Sequence, residues 1–237
     1  MTRFLEILPD SVSLIERAKT LILGQISTVL QTSDYFTIVL AGGNTPKPLY
    51  DCLAKEDLPW QRIHVFWGDE RYVPKDHPDS NQCMARSTWL GHVQIPSDNI
   101  HPISTDSGDP TVDAQKYQEH LRDFFQQDWP SFDLVLLGMG DDGHTASLFP
   151  RTQALKITDR LVTLGNKGTD PRITLTLPLI NLSNRVIFLV TGENKRPALA
   201  HIFADQCDQS DYPSRSIEPR GDLWWLLDES AGAELKK

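Results

Sequence analysis

The chain has 237 residues, 39% of them hydrophobic and 23% charged, which suits one large α/β domain or two small ones. Its net charge of −9 argues against a general nucleic-acid binder, although a few cations in one pocket can still hold a small phosphorylated molecule. No apolar run suits a secretory signal or a membrane span, so we expect a cytoplasmic protein without membrane contact.

The first predicted element is a helix over residues 11–31, where apolar side chains recur at helical spacing. Ser13 and Glu16 form a capping-box pattern near its start, although Asp10 or Ser11 could also cap the helix. The chain before the first core strand therefore reads as one helix.

Four apolar segments then predict buried strands, and each is followed by a polar or glycine-rich loop. The four segments are residues 35–40, 62–67, 132–137 and 186–190. Helical patterns follow the first strand from Pro46 and the fourth strand through Phe203. Another helix is predicted over residues 111–125, with Pro110 in its first turn and Asp109 as its cap. Residues 172–180 and 221–228 look like further strands.

Apolar strands that alternate with helices predict an α/β fold, a mostly parallel Rossmann-like sheet with helices on both faces. In such sheets ligands bind at the carboxyl ends of the strands, so the polar loops should meet at one edge. No linker rich in Pro, Gly or Ser divides the chain, and we expect a single domain over residues 1–237.

The first of these loops contains Gly42, Gly43, Asn44 and Thr45. Two glycines let backbone N–H groups approach a ligand, and the next helix presents its positive end, so the loop could seat a phosphate. The alternative is a tight strand-to-helix turn with Thr45 as the helix cap.

The second loop begins with Asp69, Glu70 and Arg71. One interpretation is a structural ion pair between an acid and the neighbouring guanidinium. The functional interpretation is a carboxylate that orients a substrate or a water, beside a cation that binds an anion or a developing oxyanion.

The third loop matches GxGxxG through Gly138, Gly140 and Gly143. A dinucleotide site needs an acidic residue about 20 positions later, after the next strand, whereas Asp159 precedes the next apolar run. Two adjacent aspartates in the loop would also repel a pyrophosphate. We therefore do not expect nucleotide binding.

The same loop carries His144, whose imidazole can act as a base near neutral pH. Asp141 or Asp142 could fix its tautomer. The alternative is a histidine that caps a turn or hydrogen-bonds to the backbone.

Other catalytic patterns are missing from the sequence. No HExxH is present, no second histidine lies at ligand spacing from His144, and we expect no metal. The three cysteines, Cys52, Cys83 and Cys207, form no CxxC pair and are expected to be ordinary, at least partly buried thiols in a reducing compartment. No GxSxG occurs, and Ser147 lies in a run that predicts the start of a helix or a core turn.

The motifs GGNTP, WGDERYVP, LLGMGDDGHTASLFP, RITLT and LVTGENKRPAL occur together, in this order, over about residues 38–228. In this combination the chain resembles the 6-phosphogluconolactonases, which open a phosphorylated sugar lactone in the pentose phosphate pathway. That family is similar to the glucosamine-6-phosphate deaminases and shares their fold with the ribose-5-phosphate isomerases. Asn44 stands where many family members have serine.

The resemblance implies that His144 activates a water that attacks the lactone carbonyl. Asp69, Asp141 or Asp142 would orient the histidine or the sugar hydroxyls, and the sequence does not decide which. Backbone N–H groups of the glycine-rich loops and Arg71 are the expected oxyanion stabilisers.

The resemblance also places the phosphate on the loop at 42–45, with Arg172 and Lys195 as its cations and Arg71 as a shared or alternative one. Gly140 and Gly143 are expected beside the substrate. Neither a metal nor an organic cofactor is expected, since an ester carbonyl is already electrophilic. The expected partner is a phosphorylated sugar lactone, and the expected state is a monomer or a weak homodimer.

Two alternatives stay open. A glucosamine-6-phosphate deaminase or isomerase would continue its Asp-Gly-His loop into Phe-Asn-Glu-Pro, whereas Ser-Leu-Phe-Pro follows here at 147–150, with Phe149 in place of the glutamate. A non-enzymatic sugar-phosphate-sensing domain would usually carry a DNA-binding helix-turn-helix, for which about 35 residues before the first core strand leave little room.

Overall fold

The computed structural model describes residues 1–206 and 208–236. Cys52 and Cys83 are partly buried free thiols, and Cys207 lies outside the described residues. The strands are β1 (Thr2–Leu8), β2 (Phe36–Leu40), β3 (Ile63–Trp67), β4 (Asp69–Arg71), β5 (Ile100–His101), β6 (Leu134–Gly138), β7 (Val162–Leu164), β8 (Arg172–Leu175), β9 (Arg185–Val190) and β10 (Asp222–Asp228). The α-helices are α1 (Ser11–Val29), α2 (Lys47–Leu53), α3 (Asn81–Ala85), α4 (Pro110–Phe125), α5 (Leu177–Asn181), α6 (Arg196–Ile202) and α7 (Glu229–Gly232).

Seven strands form one parallel sheet in the order β1-β10-β9-β6-β2-β3-β5, which confirms the predicted α/β class. All five residues of β2 are buried, so packed structure covers both faces of this central strand. Among the described residues none of the helices is long and apolar enough to cross a membrane.

A second, three-stranded antiparallel sheet runs in the order β4-β8-β7. Its strand β4 follows β3 after a single residue, Gly68, so the small sheet continues directly from the carboxyl edge of the large one. In its register Arg71 lies opposite Arg172. This pairing brings two segments that are about 100 residues apart in the chain to the same edge.

The four strands predicted before a polar loop are confirmed to within two residues. The prediction of one strand over residues 172–180 is wrong in its second half, because α5 begins at Leu177. Pro178 suits the first turn of a helix and cannot donate to a sheet.

The chain before β2 is not one helix, because β1 precedes α1 and pairs with β10 along its whole length. Phe4 of β1 stacks on Trp224 with ring centroids 4.1 Å apart, a contact between chain ends that no local pattern reveals. Asp10 caps α1 by accepting from the backbone N–H of Ser13 at 2.7 Å, so of the possible caps the structure uses the aspartate.

Candidate active site

The carboxyl ends of β2, β3, β6 and β9 meet at one edge of the parallel sheet, around a cavity of about 230 Å³. Among the predicted site residues, those that line this cavity are Gly42, Gly43, Asn44, Thr45, Asp69, Arg71, Gly140, His144, Arg172 and Lys195. Asp142 and Gly143 directly precede His144 in the same loop but do not line the cavity. Loops that are far apart in the chain thus line one small cavity, because the strands that they follow are neighbours in the sheet.

His144 lies against Asp142. Its Nδ1 is 2.5 Å from Asp142 Oδ1, and its backbone N–H donates to the same oxygen at 3.1 Å. The hydrogen bond from the imidazole, opposed by partial burial, lowers the pKa of Asp142 to about 2. Because the carboxylate occupies Nδ1, Nε2 is the ring nitrogen left for the cavity.

Gly140 makes this pair possible because it has no side chain. A Cβ built on it would lie 2.0 Å from His144 Nδ1 and 2.7 Å from Asp142 Oδ1. The Gly140 N–H also donates to the His144 carbonyl at 2.9 Å, which closes the loop on itself. Any larger residue would displace the imidazole from its carboxylate.

Asp69 does not contact the histidine and belongs to a separate buried network. One carboxylate oxygen accepts from Ser147 Oγ at 2.5 Å, and the other accepts from Asn81 Nδ2 at 3.2 Å. Asn81 also donates to the Asp69 carbonyl at 2.8 Å, and its Oδ1 rests against Gly42, where a Cβ would lie only 1.9 Å away. This network joins the first loop to the other two.

Ser147 and Asn81 were missed as site residues by sequence reasoning. Ser147 is fully buried in a turn, which excludes the helix start that was one of its two predicted settings. Asn81 follows Arg71 by ten residues, in the same polar stretch after β3, and no role was predicted for it. Their partner Asp69 is 78 and 12 residues away, respectively, and only the fold brings the three together.

Glu70 and Arg71 do not form the ion pair that was considered. Glu70 is buried and accepts from the backbone N–H groups of Asn81 and Gln82 at 2.7 and 2.8 Å, so it caps the first turn of α3. Burial nonetheless raises the pKa of Glu70. Arg71 instead donates from Nη1 to the carbonyl of Asp79 at 2.6 Å.

Arg71 and Arg172 face each other across β4 and β8, and both line the cavity. In each of them the Nε atom is buried, and no hydrogen-bond partner for it is found among the described residues. Burial, followed by the charge of Arg71, lowers the pKa of the Arg172 guanidinium. Two adjacent cations with unused donors are the arrangement expected of a site that binds an anion.

Lys195 reaches the cavity from the turn after β9, and Thr45 is tied to that turn through a 3.2 Å contact between its Oγ1 and that of Thr191. Among the described residues no side chain caps α2, so Thr45 is not the cap that was considered. The Lys195 ammonium donates to Asp141, which also accepts from Asn194 Nδ2 at 2.8 Å. The hydrogen bond from Lys195 lowers the pKa of Asp141.

Asp69, Asp141 and Asp142, the carboxylates left open by the sequence, thus have different contacts. Asp142 contacts the histidine, Asp141 holds the lysine, and Asp69 ties the loops together. Across residues 1–206 and 208–236, no group of three or more His, Cys, Asp or Glu side chains converges as metal ligands would.

Comparison with known proteins identifies the family of this chain. Residues 9–225 match the model of the family described as glucosamine-6-phosphate isomerases/6-phosphogluconolactonase. The chain is 56% identical over 238 residues to a 6-phosphogluconolactonase of Nostoc sp. strain PCC 7120, with 99% of each chain covered.

Comparison with solved structures agrees with this family. The chain is similar to the 6-phosphogluconolactonase from Trypanosoma brucei, with a TM-score of 0.86, 31% identity and 99% of each chain covered. A monomeric glucosamine-6-phosphate deaminase has a TM-score of 0.82 at 20% identity, covering 98% of this chain and 99% of its own, which shows a shared fold alone.

Proposed function

The chain belongs to the glucosamine-6-phosphate isomerase/6-phosphogluconolactonase family, and we propose that it works as the lactonases of that family do, as a carboxylic ester hydrolase that converts 6-phosphogluconolactone into 6-phosphogluconate. The observation that carries the proposal is one cavity in which a histidine paired with a carboxylate faces two guanidinium groups free of ion pairs in the described part of the chain. We also propose that residues 1–237 act as a single domain.

In the proposed reaction His144 is the general base. Its Nε2 takes a proton from a water molecule, and the water oxygen attacks the lactone carbonyl carbon. Asp142 keeps the other nitrogen engaged and stabilises the imidazolium that forms. The carbonyl oxygen becomes an oxyanion, which backbone N–H groups of the glycine-rich loops and Arg71 stabilise.

The second half of the reaction breaks the ester. The bond between the carbonyl carbon and the ring oxygen opens, and the protonated His144 returns its proton to that oxygen, which leaves as a hydroxyl. The product is a carboxylic acid, which releases its proton to the solvent near neutral pH. His144 has then given up the proton that it took from water, so each turnover restores the starting state of the enzyme.

The phosphate of the substrate is proposed to bind at the opposite side of the cavity. Arg172 and Lys195 supply charge, with Arg71 beside them, and the backbone at 42–45 supplies N–H donors. Lys195 already has a partner in Asp141, so the phosphate shares or displaces that contact. Within the described part of the chain Arg172 has no ion-pair partner, and it is the stronger candidate for the phosphate contact.

The proposal is tested by proton release on freshly made 6-phosphogluconolactone, measured against the spontaneous opening of the ester. We expect a rate that rises in proportion to enzyme concentration, and no ammonia from glucosamine 6-phosphate in a parallel assay. Ammonia release without lactone opening would assign the chain to the deaminases, and neither activity would favour a sugar-phosphate sensor.

A further inference from the structure

The ring of Phe149 lies between two groups of the cavity. It is buried, with 6% of the residue exposed, and it follows His144 by five residues in the same loop. Its centroid is 4.5 Å from that of the His144 ring, with 42° between the planes. The guanidinium carbon of Arg172 lies 5.7 Å from the centroid of the same ring.

The backbone holds Phe149 firmly in this place. Its carbonyl accepts from both the hydroxyl and the backbone N–H of Thr152, at 2.8 and 3.3 Å. Ala146 and Arg151 on either side have φ of 47° and 58°, values that L-residues rarely adopt outside tight turns. A segment in which two such residues flank the aromatic ring is built for one geometry.

For His144 the aromatic ring supplies a constraint that Asp142 does not. The carboxylate holds Nδ1 at the edge of the imidazole, and one hydrogen bond leaves the ring free to tilt. Contact with a buried aromatic ring, whose centroid is 4.5 Å away, limits that tilt. Together the two contacts fix the direction in which Nε2 points.

For Arg172 the aromatic ring supplies a partner that does not cancel its charge. No carboxylate lies within ion-pair distance of Arg172 in the part of the chain that the structure describes, and its Nε is buried without a partner. A cation over an aromatic face is stabilised by the ring quadrupole. Unlike a carboxylate, the ring leaves the guanidinium fully charged toward an incoming anion.

We propose that Phe149 is a positioning residue that aligns the general base and the anion-binding arginine at once, and so sets the distance between His144 and Arg172 across which the substrate binds. This inference rests on the proposed function. It requires that loss of the aromatic face weaken anion binding and slow turnover together.

The test is Phe149→Leu, which keeps an apolar side chain and removes the aromatic face, compared with Phe132→Leu. Phe132 is fully buried beside Phe66 and Phe125 and does not line the cavity, so it matches the loss of packing. For Phe149→Leu we expect turnover to fall about 10-fold. Binding of 6-phosphogluconate and of inorganic phosphate should weaken roughly 3- to 10-fold, by calorimetry. Phe132→Leu should change neither.

A double-mutant cycle separates positioning from general damage. In the background of Phe149→Leu, Arg172→Ala should weaken phosphate binding less than it does in the wild type, because the arginine has already lost its partner. The inference would be overturned if the two substitutions had independent effects on phosphate binding. It would also be overturned if Phe149→Leu and Phe132→Leu had the same turnover and the same binding. A wild-type enzyme that opens no lactone would sink the proposed function instead, and the phosphate cycle would still decide the role of Phe149.

Discussion

At the scale of single residues, the site depends on two glycines, which leave space for neighbouring side chains, as much as on the polar side chains themselves. Gly140 leaves the space in which the His144 ring meets Asp142, and Gly42 leaves the space that Asn81 fills. Both glycines come directly from the loops that the sequence singled out. Close approach, rather than backbone freedom, is what these two positions require.

Gly140→Ala is therefore expected to impair catalysis. The added methyl group would overlap the imidazole, which must move away from its carboxylate, and a displacement of about 1 Å can cost up to ~100-fold in rate. We expect turnover to fall about 10- to 100-fold in the proton-release assay. Gly24→Ala in α1, where a Cβ meets nothing within 4 Å, is the control and should keep full turnover. Wild-type turnover in Gly140→Ala would show that the pair tolerates displacement.

The residue types of the site were predictable, whereas their partners were not. His144 stood out because it follows a strand in a glycine-rich loop. Asp141 and Asp142 are adjacent, so no spacing argument could say which one contacts the imidazole and which one contacts Lys195. Asn81 was given no role because its contacts with Asp69, 12 residues away, and with Gly42 in the first loop are made only in the folded chain.

At the scale of elements, the alternation of apolar strands and helices was enough to place the loops at 42–45, 69–71 and 138–144 at one edge. This follows because parallel strands present all their carboxyl ends to the same side. The prediction needed no knowledge of strand order. Boundaries were good to two residues because the strands are buried runs with β-branched side chains.

The antiparallel sheet was not predictable in the same way. Its strands β4 and β7 have three residues each, too few to show a period of two. Yet this sheet sets Arg71 opposite Arg172, so both arginines of the proposed anion site depend on a sheet that includes strands without a local signature. Edge strand β1 was not predicted either, since it pairs with β10 at the far end of the chain.

At the scale of the whole molecule, net negative charge coexists with a cavity lined by two arginines and a lysine. A cationic pocket in an anionic protein selects small anions that fit the pocket over polyanions that must cover a surface. This is the charge distribution expected for a sugar phosphate substrate.

A row of histidines away from the cavity makes stability depend on pH. His101 contacts His64 at 3.0 Å and His120 at 2.9 Å through its two ring nitrogens. Burial lowers the pKa of His101 to about 3, and burial also lowers the pKa of the other two. Below a pH of about 6.5 these three histidines bind protons more readily in the unfolded chain than in the folded chain. The free energy of unfolding therefore falls as the pH drops toward 3.

The row is tested by urea unfolding at pH 7.5 and pH 5.0. His101→Asn removes one titrating group, so the loss of unfolding free energy between the two pH values should shrink by about 1 to 2 kcal/mol. His77→Asn, at an exposed position, is the control and should leave the loss unchanged. An equal loss of unfolding free energy in wild type and His101→Asn would mean that protonation of these histidines does not destabilise the folded chain.

The proposed role of His144 is tested most directly by the turnover of 6-phosphogluconolactone by His144→Ala, with spontaneous opening subtracted. We predict a fall of about 100-fold or more in kcat and a KM within about 3-fold of wild type, as expected when a general base is lost and the anion site is kept. His92→Ala, an exposed histidine outside the cavity, should retain wild-type kcat. Wild-type kcat in His144→Ala would contradict the assignment of the base and with it the proposed mechanism.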